Sequence, residues 1–114
     1  MKIEVSELPD NINCIRLDGR MDASGVDLIE MRFSSVVVSS GRNAVVDLSG
    51  VSFIASMGIR MLIATARAVR FKQTKMVLFG APGAVQAVLD TVALDQIVPI
   101  TSNQQLAIER VRAP

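Results

Sequence analysis

The sequence predicts an α/β fold in which a mixed sheet of four to five strands is packed by four helices. Two observations carry this prediction. After an initial pair of strand-like segments, segments with strand patterns alternate with segments whose apolar residues recur at helical spacing. The chain has 114 residues, half of them apolar, which suits one domain with a proper hydrophobic core. We therefore predict a single domain over residues 1–114.

The chain opens with two predicted strands, at residues 2–7 and 12–17. Apolar and polar residues alternate in the first strand, and Leu8-Pro9-Asp10-Asn11 between the strands has turn chemistry. The two strands are therefore expected to pair as a hairpin. The second strand is predicted to end at Asp18-Gly19.

The first helix is expected to begin at Asp22 or Ser24, because either side chain can cap a helix N-terminus. The pattern continues through the β-branched run at 36–38 and stops at Ser39-Ser40-Gly41. One apolar face at helical spacing is expected to be buried; it consists of Val26, Ile29, Phe33, Val36 and Val37.

The central segment, residues 44–70, reads AVVDLSGVSFIASMGIRMLIATARAVR. It predicts a short strand, a tight turn at 47–50, a short extended piece and a helix through Arg70. Ser56 falls where the extended piece meets the helix, and serine is a favoured N-cap because its hydroxyl can accept from a first-turn N–H. One interpretation of Ser56 is therefore a helix cap without a further role.

The helix after Ser56 is predicted to have two apolar faces. The face expected to lie on the core consists of Ile59, Leu62, Ile63, Ala66 and Val69. The opposite face carries Met57, Met61, Ala64 and Ala68, with Arg60 and Arg67 along one edge. Methionine suits adaptable partner surfaces, and arginine is enriched at interfaces, so this face is predicted to dock a partner. The alternatives are that another element covers it or that its alanines serve helix formation.

The remaining segments predict one more alternation of strands and helices. Met76–Phe79 is a strand ending at Gly80, and Pro82 belongs in the first turn of a third helix over Val85–Val92. Ile97–Ile100 is a short strand, placed at an edge by Pro99. A last helix, capped by Thr101 or Ser102, carries Leu106, Ile108 and Val111. The β–α–β crossovers should be right-handed and should place their helices on one side of the sheet.

Charge and composition exclude two classes of partner. The net charge is +1, with 12 basic and 11 acidic residues evenly mixed, and the only aromatic residues are four phenylalanines, so no nucleic-acid partner is expected. No apolar run approaches the roughly 20 residues of a membrane span, and the start lacks the apolar core of a signal peptide. We expect a cytoplasmic location and no membrane partner.

The residue inventory argues against catalysis and against a metal site. The chain has no histidine, which excludes a histidine–cysteine metal site and the Ser-His-Asp and Cys-His catalytic groups. Cys14, the only cysteine, is expected to be a small buried apolar residue, with a reactive thiol as the alternative. Asp47 ends a strand and is expected to serve in the turn. No glycine-rich phosphate loop is present, so an enzyme or a nucleotide-binding protein is only a minor alternative, and no cofactor is expected.

The stretch DLSGVSFIASMGIRMLI at 47–63 resembles the signature of STAS domains of the anti-sigma factor antagonist type. That signature reads Asp-Leu-Ser-x-Val-x-Phe-[Ile/Leu/Met]-Asp-Ser-[Ser/Ala/Met]-Gly-[Leu/Ile], and its serine before x-Gly is the phosphoacceptor. The resemblance therefore assigns phosphorylation to Ser56. This chain departs from the family at Ala55, where Asp is frequent, and at Met57, where Ser is frequent.

Two further stretches extend the resemblance over nearly the whole chain. Gly19-Arg20-Met21-Asp22 resembles the family's Gly-x-[Leu/Met/Phe]-Asp turn, which lies near the phosphoacceptor. Asp22 is thus expected either to act at the site or only to cap a helix. The segment Thr91–Val98 resembles the family's pattern between the third helix and the last strand. The implied fold is the STAS fold, with four or five strands and four helices.

The resemblance implies a binding switch in place of catalysis. Unphosphorylated, the domain would bind an anti-sigma factor that carries a GHKL-type serine kinase domain, and would so release a sigma factor or other regulator; a PP2C-type phosphatase would reverse the modification. A monomer or weak dimer is expected. The predicted partner-binding residues are Asp22, Ser56, Met57, Gly58, Arg60, Met61, Ala64 and Arg67. The alternative is a constitutive STAS accessory subunit of a transporter or sensory assembly.

Overall fold

The computed structural model describes all 114 residues and contains one five-stranded sheet with the order β1-β2-β3-β4-β5. The first two strands form an antiparallel hairpin, and every later strand pairs in parallel with the one before it. The predicted mixed sheet and hairpin are confirmed. The strands are β1 (Lys2–Leu8), β2 (Ile12–Met21), β3 (Asn43–Ile54), β4 (Met76–Phe79) and β5 (Ile100–Thr101).

Four helices complete the fold: α1 (Ala23–Ser34), α2 (Ser56–Phe71), α3 (Gly83–Thr91) and α4 (Gln104–Arg112). A π-helical turn, Ser35–Ser39, continues α1, so the valine run at 36–38 is helical as predicted. A 3₁₀ turn, Leu94–Gln96, follows α3. None of the helices combines the length and the hydrophobicity that a membrane span requires.

The two faces of the sheet are covered by different helices. On one face, side chains of α1, α2 and α3 join those of the strands in the main core, as expected for helices that connect successive parallel strands. On the other face, α4 alone covers a smaller cluster that consists of Ile12, Cys14, Val45, Val77, Phe79, Ala107 and Val111. Cys14 is buried there, as predicted, and burial raises the pKa of its thiol.

The turn predicted at 47–50 is wrong, because β3 continues through it as one bulged strand. Arg16 pairs with Asp47, but Asp18 pairs with Gly50, so β3 uses one more residue than β2 over this interval. Asp47 Oδ1 accepts a hydrogen bond from Ser49 N at 2.9 Å, which is the turn chemistry that the sequence signalled. The local turn forms within the strand and bends it without ending it.

Arg16 holds this bulge from the neighbouring strand. Its guanidinium donates to both carboxylate oxygens of Asp18 at 3.1 Å, and its Nη1 donates to Asp47 Oδ2 at 3.2 Å and to Ser49 Oγ at 3.0 Å. A Cβ at Gly50 would lie 1.8 Å from Asp18 Oδ1, so the network requires glycine at that position. The expected turn role of Asp47 is thus confirmed as an anchor of the bulge.

The last strand and the last helix cap differ from their predictions. β5 begins only at Ile100, because Ile97 N and Val98 N both donate to Leu94 O, which turns the chain before the strand can start. The N-cap of α4 is Asn103, whose side chain accepts a hydrogen bond from Leu106 N at 2.9 Å. The predicted caps, Thr101 and Ser102, do not occupy this position.

Candidate functional site

The start of α2 lies at the carboxyl edge of the parallel strands. β3 ends at Ile54, which pairs with Met21 at the end of β2. Ala55 N then donates to Met21 O at 3.0 Å, which fixes the beginning of α2 beside the end of β2. Open α/β sheets place their sites at this edge, and Ser56 lies there with an exposed side chain.

Ser56 is the first residue of α2 and is not its cap. Ala55 occupies the N-cap position with an extended backbone, φ −118° and ψ −178°, and makes no side-chain capping bond. The interpretation of Ser56 as an N-cap is therefore wrong by one residue. Because no side chain caps α2, its first-turn N–H groups remain available to an anion, and the hydroxyl of Ser56 is free for other chemistry.

Gly58 allows the first turn of α2 to approach the ends of β2 and β3. A Cβ at this position would lie 2.9 Å from Met21 O and 3.0 Å from Ile54 Cγ1. This close packing buries Gly58. Gly58 therefore faces the core and not, as predicted, a partner.

The inward position of Gly58 also determines which face of α2 meets the core. Residues three and four positions further along a helix share a face, so the buried set continues as Met61, Leu62, Thr65, Ala66 and Val69. Met61 is only 4% exposed, and its prediction as a partner-binding residue is wrong. Conversely, Ile59 and Ile63, which were predicted to lie in the core, are half-buried.

The outward side of α2 forms a groove with α3, the α2–α3 groove, of about 630 Å³. Four of the predicted site residues line it, and Met57 packs at the edge of the main core instead. Val88 of α3 and Val92, the C-cap of that helix, complete the wall, a contribution that the central segment alone could not reveal. The groove is lined by Ile54, Ala55, Ser56, Ile59, Arg60, Ile63, Ala64, Arg67, Val88 and Val92.

Asp22 is the N-cap of α1. It is one of the two residues, Asp22 and Ser24, that the sequence predicted for this position. Its Oδ1 accepts from Gly25 N at 2.9 Å and from Ser24 Oγ at 3.2 Å, and its Oδ2 accepts from Arg20 Nε at 3.3 Å. These contacts, the Gly25 bond foremost, lower the pKa of the Asp22 carboxyl. The capping role is confirmed, and a role in partner binding stays a prediction.

Arg20 and Phe53 form an exposed pair near this edge that the sequence alone did not reveal. The two residues are register partners in β2 and β3, and the Arg20 guanidinium carbon lies 4.2 Å from the centre of the Phe53 ring. This cation–π contact and the ion pair with Asp22 orient Arg20. The strand register, once known, is the signal that would have identified the pair.

The lowered pKa of Asp22 predicts how stability depends on pH. A depressed folded-state pKa contributes stability above the unfolded value of about 4, and this stability is lost as the pH falls through the folded-state pKa. Asp22→Asn keeps a capping oxygen that does not titrate, so its unfolding temperature should fall less than that of the wild type between about pH 4 and 2. Asp22→Ala should unfold at lower temperature already at pH 7. Parallel acid curves for the wild type and Asp22→Asn would contradict this assignment.

The model of the STAS domain family matches residues 3–107. The chain belongs to the STAS family. Among solved structures, this STAS domain resembles an anti-sigma factor antagonist from Mycobacterium paratuberculosis, with 24% identity, a TM-score of 0.87 and coverage of 98% of this chain and 94% of that chain. It also resembles the phosphorylated form of the Bacillus cell fate determinant SpoIIAA, with 19% identity, a TM-score of 0.71 and coverage of 97% and 100%.

The same fold occurs within a much larger protein. The murine anion transporter Slc26a9 matches with 14% identity and a TM-score of 0.78; the match covers 91% of this chain but only 18% of the transporter. These likenesses confirm the predicted STAS fold.

Proposed function

We propose that this STAS domain is an anti-sigma factor antagonist that acts in the cytoplasm as a phosphorylation-controlled binding switch. In its unphosphorylated form it binds an anti-sigma factor with a GHKL-type serine kinase domain, here called the kinase partner, and so releases a sigma factor or other regulator. A PP2C-type phosphatase restores the binding form. The observation that carries the proposal is the exposed Ser56 at the uncapped start of α2, on the border of the α2–α3 groove.

The α2–α3 groove has the chemistry of a docking surface. Ile59, Ile63 and Val88 provide apolar contact area, and they are already partly desolvated. Arg60 and Arg67 are exposed, form no ion pair and stand two helical turns apart, about 10.5 Å along the axis. A partner that presents an apolar ridge flanked by carboxylates would complement both features.

Phosphorylation of Ser56 would change this surface without breaking the fold. The phosphate adds about −1.5 to −2 charges, and it would stand at a helix N-terminus where the N–H groups have no side-chain acceptor. Arg60 lies four residues further on the same helix face, within reach of the phosphate. The partner would then lose its contact with Arg60, and binding would require desolvation of the phosphate dianion on Ser56. An unpaired buried charge costs several kcal/mol, and each 1.4 kcal/mol is about tenfold in affinity.

Arg60 is predicted to pair with the phosphate once Ser56 is modified. In a chain with genetically encoded phosphoserine at position 56, this pairing should keep the second pKa of the phosphate below its usual value of about 6, as measured by ³¹P NMR titration. Arg60→Gln should raise this pKa toward 6. Arg67→Gln removes the same charge two helical turns further from Ser56 than Arg60, and it should change the pKa of the phosphate much less. Equal effects of the two variants would exclude a specific pair.

The proposal is tested by incubating the domain with the candidate GHKL-type kinase from the same cell and ATP-Mg, followed by intact mass and site mapping. One phosphate on Ser56, absent from Ser56→Ala, together with a weaker complex after transfer, is the expected result. A stable complex that gains no phosphate would favour the alternative, a constitutive STAS accessory subunit of a transporter or sensory assembly. In that case Ser56→Asp should also bind normally.

A further inference from the structure

The outer side of α1 carries two large apolar side chains that no other element of the fold covers. Leu28 is 74% exposed and Met31 is 88% exposed. They lie three residues apart on the helix and are therefore neighbours on its surface, away from the buried face that includes Ile29 and Phe33. Neighbouring exposed apolar side chains indicate a contact surface more strongly than single ones do. Leu28 and Met31 are here called the α1 ridge.

Two carboxylates follow one edge of the α1 ridge. Asp27 and Glu30 are exposed, lie about one helical turn apart and form no ion pair. Both line the same surface depression as Met31, which places them on one side of α1. Arg32, the remaining charged residue of this helix, lies about 200° around the axis from Glu30 and so belongs to the other edge. The ridge therefore has one acidic edge.

The α1 ridge has the features that the α2–α3 groove requires of an occupant. The groove is lined mostly by apolar side chains and carries two exposed, unpaired arginines, Arg60 and Arg67. These arginines are about 10.5 Å apart along α2, and Asp27 and Glu30 are about 4.5 Å apart along α1. Each arginine therefore has to lean by only about 3 Å along the axis to reach one carboxylate. The net charge of +1 also leaves little overall repulsion between two copies of the chain.

We propose that two copies of this chain form a reciprocal dimer in which the α1 ridge of each copy packs into the α2–α3 groove of the other. Leu28 and Met31 contact the apolar wall of the groove, and the two carboxylates pair with the two arginines. Helices α1, α2 and α3 cover the same face of the sheet, so ridge and groove belong to one helical layer. One two-fold axis can therefore seat both ridges at once and close the assembly as a dimer.

The dimer regulates the binding site, a consequence that rests on the proposed function. A groove that holds the ridge of the other copy cannot accept the kinase partner, so self-association and partner binding exclude each other. Ser56 lies on the border of the same groove, so dimerisation also shields it from phosphorylation. Formation of the dimer itself requires neither the kinase partner nor phosphorylation.

Sedimentation equilibrium of the full chain alone, from low micromolar to millimolar concentration, tests the dimer. The ridge variant combines Asp27→Lys with Glu30→Lys, and the groove variant combines Arg60→Glu with Arg67→Glu. Each variant alone should dimerise at least about 100-fold more weakly than the wild type, because ridge and groove then carry charges of the same sign. An equimolar mixture of the two variants should form a heterodimer about as tightly as the wild type, because opposite charges meet at both contacts.

The wild-type measurement is decisive by itself, and the mixture identifies the surfaces. A wild type that stays monomeric throughout, or a mixture that does not associate although thermal unfolding shows both variants folded, would overturn the proposal. Growth of the wild type beyond the dimer would contradict the two-fold arrangement.

The competition is tested separately by titrating the kinase partner into the domain at concentrations below and above those of dimer formation. The wild type should show a lower apparent affinity above that concentration, whereas the ridge variant should bind equally at both and match the dilute wild type. A wild-type dimer whose partner affinity does not depend on concentration would overturn the competition. A partner that fails to bind the monomeric ridge variant and the dilute wild type would contradict the proposed function and leave the dimer unaffected.

Discussion

Replacing Ile63 by glutamate is expected to weaken binding of the kinase partner by about 100-fold or more. Ile63 is half-buried in the α2–α3 groove, between the turns that carry Arg60 and Arg67. In the complex the new carboxylate would be buried against apolar groups, and losses at the centre of an interface commonly exceed about 2 kcal/mol. The free domain should stay folded, because the side chain can turn toward solvent at this open groove.

Leu28→Glu is the matched control for Ile63→Glu. Leu28 is 74% exposed on α1, outside the groove, so the same change of chemistry there should leave the affinity within about twofold of the wild type. Calorimetric titration of both variants against the kinase partner, with thermal unfolding as the folding check, measures the difference. Equal losses in the two variants would mean that the partner binds elsewhere or responds only to net charge.

Gly25→Ala is expected to destabilise the fold by about 3 kcal/mol or more, the upper part of the range for overpacking. A Cβ at this position would lie 2.0 Å from the backbone oxygen of Arg20 and 2.9 Å from Met1 Cγ. The backbone of β2 cannot move aside as a flexible side chain would, so the first turn of α1 has to shift. That shift would also break the capping bond from Gly25 N to Asp22.

Gly83→Ala is the control that separates steric conflict from a general effect of alanine. Gly83 is the first residue of α3, and a Cβ there would meet nothing within 4 Å. Alanine should be neutral or stabilise the domain by up to about 1 kcal/mol, because it reduces the freedom of the unfolded chain and favours helix. Urea unfolding of both variants gives the comparison. A loss below about 1 kcal/mol for Gly25→Ala would show that α1 can pack without this close approach.

The order of strands and helices could be predicted from the sequence because the spacing of apolar residues that marks each element lies within that element. The alternation in β1, the apolar run of β4 and the helical spacing of α1 each lie within one element. The turn predicted at 47–50 failed for the same reason. An Asx-type contact from Asp47 to Ser49 gives the same local signal whether or not a neighbouring strand keeps the segment in the sheet.

The core face of α2 could not be predicted from its own sequence. The helix has apolar residues on two sides, and a tertiary contact, the approach of Gly58 to Met21, decides which side turns inward. That rotation buries Met61 and leaves Ile63 in the groove. The resemblance predicts Ser56 as the phosphoacceptor. The uncapped helix start depends on the backbone of Ala55, and the groove depends on Val88 from another helix, so neither could be predicted from the sequence of α2.

The most direct test of the account is the affinity of the kinase partner for two forms of this domain, one unmodified and one with phosphoserine at position 56, measured by calorimetry without ATP. The switch predicts tight binding of the unmodified form and an affinity at least about 100-fold lower for the phosphorylated form, a difference of nearly 3 kcal/mol. Thermal unfolding should show both forms equally folded. Equal affinities would contradict the switch and would make the groove a constitutive docking surface.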